Sequence, residues 1–367
     1  MSLVPKHIIF LCSRLDLPGG IEKAIVQLAN LLNQKGYKIT LLVLDETDTV
    51  FYPVDAGIKL MKEPLFFGIT DKGNTLTRKA AFVKNVLQLR KKLKALDPDI
   101  VIATEYPFAI AAVLTGIRKK AKLITWEHHH LHELAKSFFW EKMFRLTYPR
   151  SNAVVCLNAD EKKLFDEFND NTVVIPNFIS PAARKSSLTN KMILTVGRLT
   201  KVKGTDLLLQ AAKLVFKKHP DWQWTMIGEG EMKEQVISFI KEEDMKNNFL
   251  LSLPVSPVLE AEYLNASIYV CSSRLESFGM TILEAMSAGL PCISFDCETG
   301  PRHIITRNKD GILVEKENPA KLAEAISSLI INEEQRKKMG EKAFENVKRF
   351  SPEKIYEPWH QLLTIDY

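Results

Sequence analysis

Ala266-Ser-Ile-Tyr-Val-Cys-Ser-Ser-Arg-Leu-Glu-Ser-Phe-Gly-Met-Thr-Ile-Leu-Glu-Ala-Met-Ser-Ala-Gly-Leu-Pro291 holds the pattern that decides the fold class. Ala266 to Cys271 is a short apolar run of strand character, and Thr281 to Ala288 has helical periodicity closed by Gly289 and Pro291. The unit is therefore strand, tight loop, helix. A helix that begins beside Gly279 presents unpaired backbone N–H groups and the positive end of its dipole, a natural seat for an anion such as a diphosphate. Glu276 is expected beside that anion and Glu284 one to two turns deeper. Taken alone, two carboxylates eight positions apart also fit the acid/base work of a glycosidase.

The same unit recurs on either side. His7 to Cys12 reads as a strand, followed by Pro18-Gly19-Gly20 and then Ile21, Ala24, Ile25, Leu28, Leu31 and Leu32 at helical spacing. Ile39–Leu44, Ile100–Ala103, Lys122–Thr125, Ala153–Leu157 and Thr172–Ile175 continue the strands, several separated by basic or mixed helices. After a polar stretch from Ser180 to Asn190, read as an interdomain linker, the alternation restarts. It runs through Met192–Gly197, Trp224–Gly228, Ile268–Ser272 and Pro291–Phe295, with helices over 206–217, 231–242 and 319–331. Alternation of this kind implies parallel sheets wrapped by helices, an α/β class. Two domains are expected from 367 residues, and the amphipathic tail Ile355–Leu363 is placed to cross back onto the first.

Hydrophobic content of 46% with 26% charged residues is that of a globular protein, and no apolar run is long enough for a membrane span. The first residues lack the pattern of a secretory signal. Five cysteines, mostly in apolar strand-like runs, read as buried free thiols in a reducing cytoplasm. The net charge of +6 resides entirely in residues 1–182, which hold 25 Lys/Arg against 19 Asp/Glu. Arg78, Lys79, Lys84, Arg90, Lys91, Lys92 and Lys94 share one expected helix, and Arg118, Lys119, Lys120 and Lys122 follow another. This surface suits an anionic membrane or a phosphorylated acceptor, or is a solvated face. From Leu131 to Arg150, Phe138, Phe139, Trp140, Met143, Phe144 and Tyr148, mixed with Lys136, Lys142 and Arg145, suit an interfacial helix or core burial.

Several side chains carry candidate chemistry. Val196-Gly-Arg-Leu-Thr-Lys-Val-Lys-Gly204 leaves a strand and enters a helix, setting Arg198 and Lys203 at the carboxyl edge of a sheet, where α/β folds bind ligands. A guanidinium fork and an ammonium there can neutralise a diphosphate. Gly228 and Gly230 follow the next strand, and Gly19 and Gly20 follow the first, where backbone can come close to phosphates. Neither G-x(4)-G-K-[ST] nor G-x-G-x-x-G is present, which argues against a Walker-type phosphotransferase and a dehydrogenase. Leu123-Ile-Thr-Trp-Glu-His-His-His-Leu-His-Glu133 places histidines after a strand: His128 can contact a sugar or acceptor, the group can cap or pack, or some can bind metal. H-E-x-x-H is absent. Asp97-Pro-Asp99 precedes its strand and so reads as loop rather than a metal-binding pair.

Taken together, these residues resemble glycosyltransferase family 4, the retaining nucleotide-sugar transferases of GT-B fold, over nearly the whole chain. Glu276-Ser-Phe-Gly-x(4)-Glu284 with Ala285-Met-Ser-Ala-Gly-Leu-Pro291 is similar to the family's E-x(7)-E signature. Gly197-Arg-Leu-x(3)-Lys203-Gly204, Gly228-x-Gly230, Ile175-Pro-Asn177, Gly300-Pro301 and Gly19-Gly-Ile-Glu22 match further motifs. The resemblance implies two Rossmann-like domains facing each other across a donor cleft. Residues 1–182 with about 352–367 would form the acceptor side, and 183–351 the nucleotide-sugar-binding side. It implies that Glu276 contacts the donor sugar, Glu284 the ribose, Arg198 and Lys203 the diphosphate, and His128 the active site. Ser277, Phe278, Gly279, Met280, Thr281 and Ile282 would line the phosphates through their backbone, with Gly20 approaching from the other domain.

No metal or cofactor is implied beyond the co-substrate, a UDP-sugar foremost, although Leu251–Ser256 departs from the family's usual glycine-containing loop. The expected activity is transfer of a hexose or N-acetylhexosamine to a growing glycan or lipid-linked acceptor of bacterial surface polysaccharide, in the cytoplasm or at the inner face of its membrane. No nucleic-acid partner is implied. The alternatives are a sugar-nucleotide epimerase or phosphorylase of the same build, and a sugar-nucleotide-binding module without turnover.

Overall fold

A computed structural model of the chain describes residues 6–47, 49–67, 75–131, 138–180, 182–254, 256 and 259–365, with the side chains of 75–78 outside that description. His132, Glu133, Lys136 and the side chain of Arg78 thus lie outside the described residues. The chain forms two compact units, Met1–Pro176 with Ile355–Tyr367, and Asn177–Lys354.

In unit one the order is β1 (His7–Cys12), α1 (Gly20–Gln34), β2 (Lys38–Val43), β3 (Lys59–Lys62), α2 (Thr75–Leu96), β4 (Ile100–Ala103), α3 (Tyr106–Thr115), β5 (Lys122–Trp126), α4 (Phe138–Thr147), β6 (Ala153–Cys156), α5 (Ala159–Phe165) and β7 (Thr172–Val174). The strands form one parallel sheet in the order β3-β2-β1-β4-β5-β6-β7. β1, β4 and β6 are buried along their whole length, which is why each reads as an unbroken apolar run. Their helices cover the sheet with stripes such as Ala24, Ile25, Leu28, Leu31 and Leu32 of α1.

Unit two follows the same rule with β8 (Met192–Val196), α6 (Thr205–Lys218), β9 (Gln223–Ile227), α7 (Lys233–Glu242), β10 (Phe249–Ser252), α8 (Glu260–Asn265), β11 (Ile268–Cys271), α9 (Met280–Ser287), β12 (Cys292–Phe295), α10 (Pro301–Ile304), β13 (Gly311–Val314), α11 (Pro319–Ile331) and α12 (Glu333–Asn346). Its parallel sheet runs β10-β9-β8-β11-β12-β13. The stretch read as a linker is instead tied into this unit beyond Ser180. Leu188 is buried, Ser186 N–H donates to Ala288 O at 2.8 Å, and Arg336 Nε donates to Leu188 O at 3.2 Å. One buried leucine and its hydrogen bonds outweigh the polar composition around it.

The last helix, α13 (Pro352–Thr364), belongs to unit one from Ile355 onward. Trp359 is buried edge-on against Trp126 with centroids 5.2 Å apart. Lys6 Nζ donates to Leu363 O at 3.2 Å and Lys122 Nζ to Ile365 O at 2.8 Å, so cations meet the unpaired carbonyls at the helix's negative end.

Candidate active site

In each sheet the strand order reverses beside the first strand, between β1 and β4 in unit one and between β8 and β11 in unit two. Loops diverge at such a point and leave a crevice at the carboxyl ends of the strands. Lys203 follows β8 and Glu276 follows β11, and they meet there: Lys203 Nζ donates to Glu276 Oε2 at 2.7 Å. Ser273 Oγ donates to the same oxygen at 3.0 Å. Burial works against the lysine's charge. The field and hydrogen bond of Glu276 outweigh it and raise the Lys203 ammonium above its ordinary range, while nearby Arg198 pulls the other way.

Hydrogen bonds to backbone carbonyls fix these loops on each other. Ser272 Oγ donates to Lys203 O at 3.0 Å, Arg274 N–H to Val202 O at 2.8 Å, and Thr299 Oγ1 to Glu276 O at 2.9 Å. Arg274 also clamps Asp206 with two bonds of 2.6 and 2.8 Å. At Gly300, φ is +70° and a Cβ would lie 2.2 Å from Glu276 O. Only glycine lets that chain pass under the glutamate loop.

Arg198 is exposed, and its guanidinium makes no hydrogen bond or ion pair among the described residues. Gly279, at φ +112°, precedes α9. The amide of Ile282 already donates to Gly279 O at 3.0 Å and its side chain is fully buried, so Met280 and Thr281 hold the open first-turn amides. Phe278 and Met280 bury their side chains, Phe278 against Phe350 at 5.8 Å; Ser277 and Thr281 are partly buried. Glu284 accepts from Tyr263 Oη at 2.6 Å. Gly228 and Gly230 lie in the loop after β9, against the loop after β8. A Cβ on Gly228 would fall 1.9 Å from Gly197 O, so backbone packing accounts for that glycine without a ligand.

In unit one, Gly19 precedes α1 and Gly20 opens it. Beside them, at the switch point, Ser13 Oγ donates to Glu105 Oε1 at 3.1 Å. Burial pushes the Glu105 carboxyl up to about 7, against the Ser13 hydrogen bond and with the help of the Glu22 charge. No motif in the sequence marks Glu105; its one signal is its place two residues past a fully apolar strand, just before Tyr106-Pro107. His128, just past β5, is buried with its ring tilted on Trp126 at 4.3 Å. Its Nε2 has no partner among the described residues. Burial, reinforced by His129, lowers it to about 3, so the ring is neutral at pH 7. Glu127, next to it, accepts from Tyr148 Oη.

Among the described residues no group of three or more His, Cys, Asp or Glu side chains is arranged to hold a metal. Asp99 instead accepts from His7 N–H at 2.6 Å at the opposite edge of the sheet. All five cysteines are unpaired and buried.

Residues 179–346 match the family described as Glycosyl transferases group 1, and residues 18–183 match Glycosyltransferase Family 4. The chain belongs to glycosyltransferase family 4. A Haemophilus influenzae protein described as an uncharacterized glycosyltransferase is 27% identical over 98% of this transferase and 100% of its own length. The Campylobacter jejuni GalNAc-alpha-(1->4)-GalNAc-alpha-(1->3)-diNAcBac-PP-undecaprenol alpha-1,4-N-acetyl-D-galactosaminyltransferase is 26% identical, over 94% of this chain and 95% of its own. A Staphylococcus aureus TarM variant, solved with fondaparinux, alpha-GlcNAc-glycerol and UDP, superposes with a TM-score of 0.80 at 18% identity, covering 98% of this chain and all of that one. The transferase accordingly has the α/β GT-B fold.

Proposed function

We propose that this enzyme is a retaining, metal-independent transferase that moves a hexose or N-acetylhexosamine from a UDP-sugar to a glycan or lipid-linked acceptor in bacterial surface polysaccharide synthesis. The chief support is the convergence, at the switch point of unit two, of the Lys203–Glu276 pair, unpaired Arg198 and the open amides of α9. Arg198 and Lys203 neutralise the charge that grows on the departing diphosphate, and Met280 and Thr281 N–H add fixed donors. Glu276 holds the sugar and Glu284 the ribose, neither transferring a proton. The acceptor oxygen bonds to the anomeric carbon as its bond to the phosphate oxygen breaks, and the hydroxyl proton passes to the leaving phosphate. Neutral His128 offers an unpaired nitrogen to sugar or acceptor. UDP and sugar-containing complexes of fold neighbours, and the undecaprenol-linked acceptor in the Campylobacter relative's name, support the donor and acceptor classes. The buried thiols suit the cytoplasm.

The test is a thermal-shift series with UDP-, GDP- and ADP-sugars, followed by NMR of the product's anomeric centre. A UDP-sugar at a hundred times its dissociation constant is expected to raise the midpoint by roughly 5–10 °C. Product should keep the donor's anomeric configuration and form equally in EDTA. No shift with any donor overturns the site. An inverted product overturns retention, and donor binding without turnover across an acceptor panel favours the non-catalytic module.

A further inference from the structure

Two hydrogen bonds converge on one oxygen of Glu276. Lys203 Nζ reaches Oε2 at 2.7 Å and Ser273 Oγ reaches it at 3.0 Å, while Oε1 accepts none among the described residues. An ammonium is a point charge on a flexible stem, so the ion pair by itself is satisfied by either oxygen and over a range of torsion angles. A hydroxyl is directional, and this one is held in place. Ser273 is buried; Cys271 Sγ donates to its Oγ at 3.5 Å, and Cys297 Sγ donates to its carbonyl at 2.9 Å. Burial raises both thiols above their ordinary range, so each keeps the hydrogen it donates. A hydroxyl has a single hydrogen, and with Cys271 supplying its own, that of Ser273 is left for Glu276. The result is a chain from thiol to hydroxyl to carboxylate, which grips one oxygen of Glu276 and leaves the other open.

We infer that Ser273 is a positioning residue for the transfer reaction: it fixes Glu276 by one carboxylate oxygen so that the other receives a hydroxyl of the donor sugar. Lys203 uses one of its three N–H donors on that carboxylate and keeps the rest for the diphosphate. The ion pair thus joins the sugar end of the donor to its phosphate end, and Ser273 sets the rotation of the carboxylate within it. The inference rests on the sugar-holding role proposed for Glu276 and gives each of its oxygens a separate task. Its consequence is selective. Ser273 matters where a sugar is present and not for the nucleotide alone.

Titration calorimetry and enzymatic UDP release on the full chain test it, with UDP and whichever of UDP-glucose and UDP-N-acetylglucosamine gives the larger thermal shift. Ser273→Ala should lower kcat/KM for UDP release from that sugar nucleotide by about 10–100-fold, the range for one hydrogen bond to a charged group. The dissociation constant of UDP itself should stay within about twofold of the parent, since UDP has no sugar for Glu276 to hold. Ser273→Thr, which retains the hydroxyl, should recover most of the lost rate. In a Glu276→Ala background, Ser273→Ala should cost nothing further, because a residue that acts through the carboxylate has no effect without it. Equal losses in UDP affinity and in UDP release would assign Ser273 to loop packing and overturn the inference. An undiminished rate in Ser273→Ala, or a full further loss in the Glu276→Ala background, overturns it as well, and each of these results leaves the donor site standing. If the parent protein binds none of the three nucleotides, the donor-site reading falls and the inference with it.

Discussion

Glu105 sits half out of reach of water at the switch point of unit one, and its raised carboxyl makes a sign-definite prediction. Its folded value of about 7 exceeds the ordinary 4.5, so between those values the folded state holds a proton that the unfolded chain has released. Stability therefore falls as pH rises through that window, by on the order of 2 kcal/mol. Glu105→Gln, which has no charge to bury, should gain that amount over the parent in urea unfolding at pH 8 and match it near pH 4. A difference that does not change with pH would remove the buried-acid account. Arg198 makes the opposite case. Being exposed and unpartnered, Arg198→Ala should leave the melting temperature nearly unmoved yet lower kcat about 10²–10³-fold, near 3 kcal/mol of transition-state stabilisation. An unaltered rate at saturating donor would sink its proposed role. Legibility differs for a related reason: Glu276, Glu284, Arg198 and Lys203 sit in spaced motifs beside glycines, while Glu105 is one carboxylate after a strand, and only the sheet order brings Ser13 to it.

At the scale of elements, what reads clearly is what is buried on both sides. β1 was delimited to the residue and α11 likewise, because continuous burial or a full helical stripe leaves an unambiguous pattern. β3, β10 and β13 were not read as strands, and all three lie at sheet edges. Edge strands are covered on fewer sides: Lys59 and Lys62 end β3 in solvent, and Leu250 in β10 is 61% exposed. Helix α12 was also missed, since it docks through Met339, Ala343 and a buried Arg336 whose guanidinium donates to Leu329 O at 2.6 Å and lies over Trp222. Loop stacking beneath Glu276 gives the element-scale test. Gly300→Ala adds a methyl at 2.2 Å from Glu276 O in a left-handed conformation, and should cost unit two at least about 2 kcal/mol and weaken donor binding. Gly197→Ala meets nothing within 4 Å and serves as the stability control, expected to differ little from the parent. Equal midpoints for the two variants in urea unfolding would show that the loop yields freely.

Across the whole molecule, the sequence pattern distinguishes two α/β units and the returning tail from Ile355, and it puts the first passage a few residues late, in the polar stretch after Ser180. The passages fall at Pro176–Asn177 and Lys354–Ile355, because Leu188 and Arg336 pull the polar stretch before β8 into unit two, while Trp359 draws α13 onto unit one. Unit one is thus completed by the last residues of the chain, and its sheet edge is held by contacts more than two hundred residues apart in sequence. Besides Trp126 against Trp359, Tyr37 Oη bonds His360 Nδ1 at 2.9 Å, and Lys122 grips the carbonyl end of the helix. Trp359→Ala empties a fully buried indole site and should cost about 3–5 kcal/mol, borne by unit one alone. Calorimetry should then show unit one melting first and the transition splitting in two, with only the upper transition raised by a UDP-sugar if the donor site is in unit two. A single transition lowered as a whole would mean that unit two cannot remain folded without unit one. An unchanged lower transition would mean that α13 does not hold the sheet.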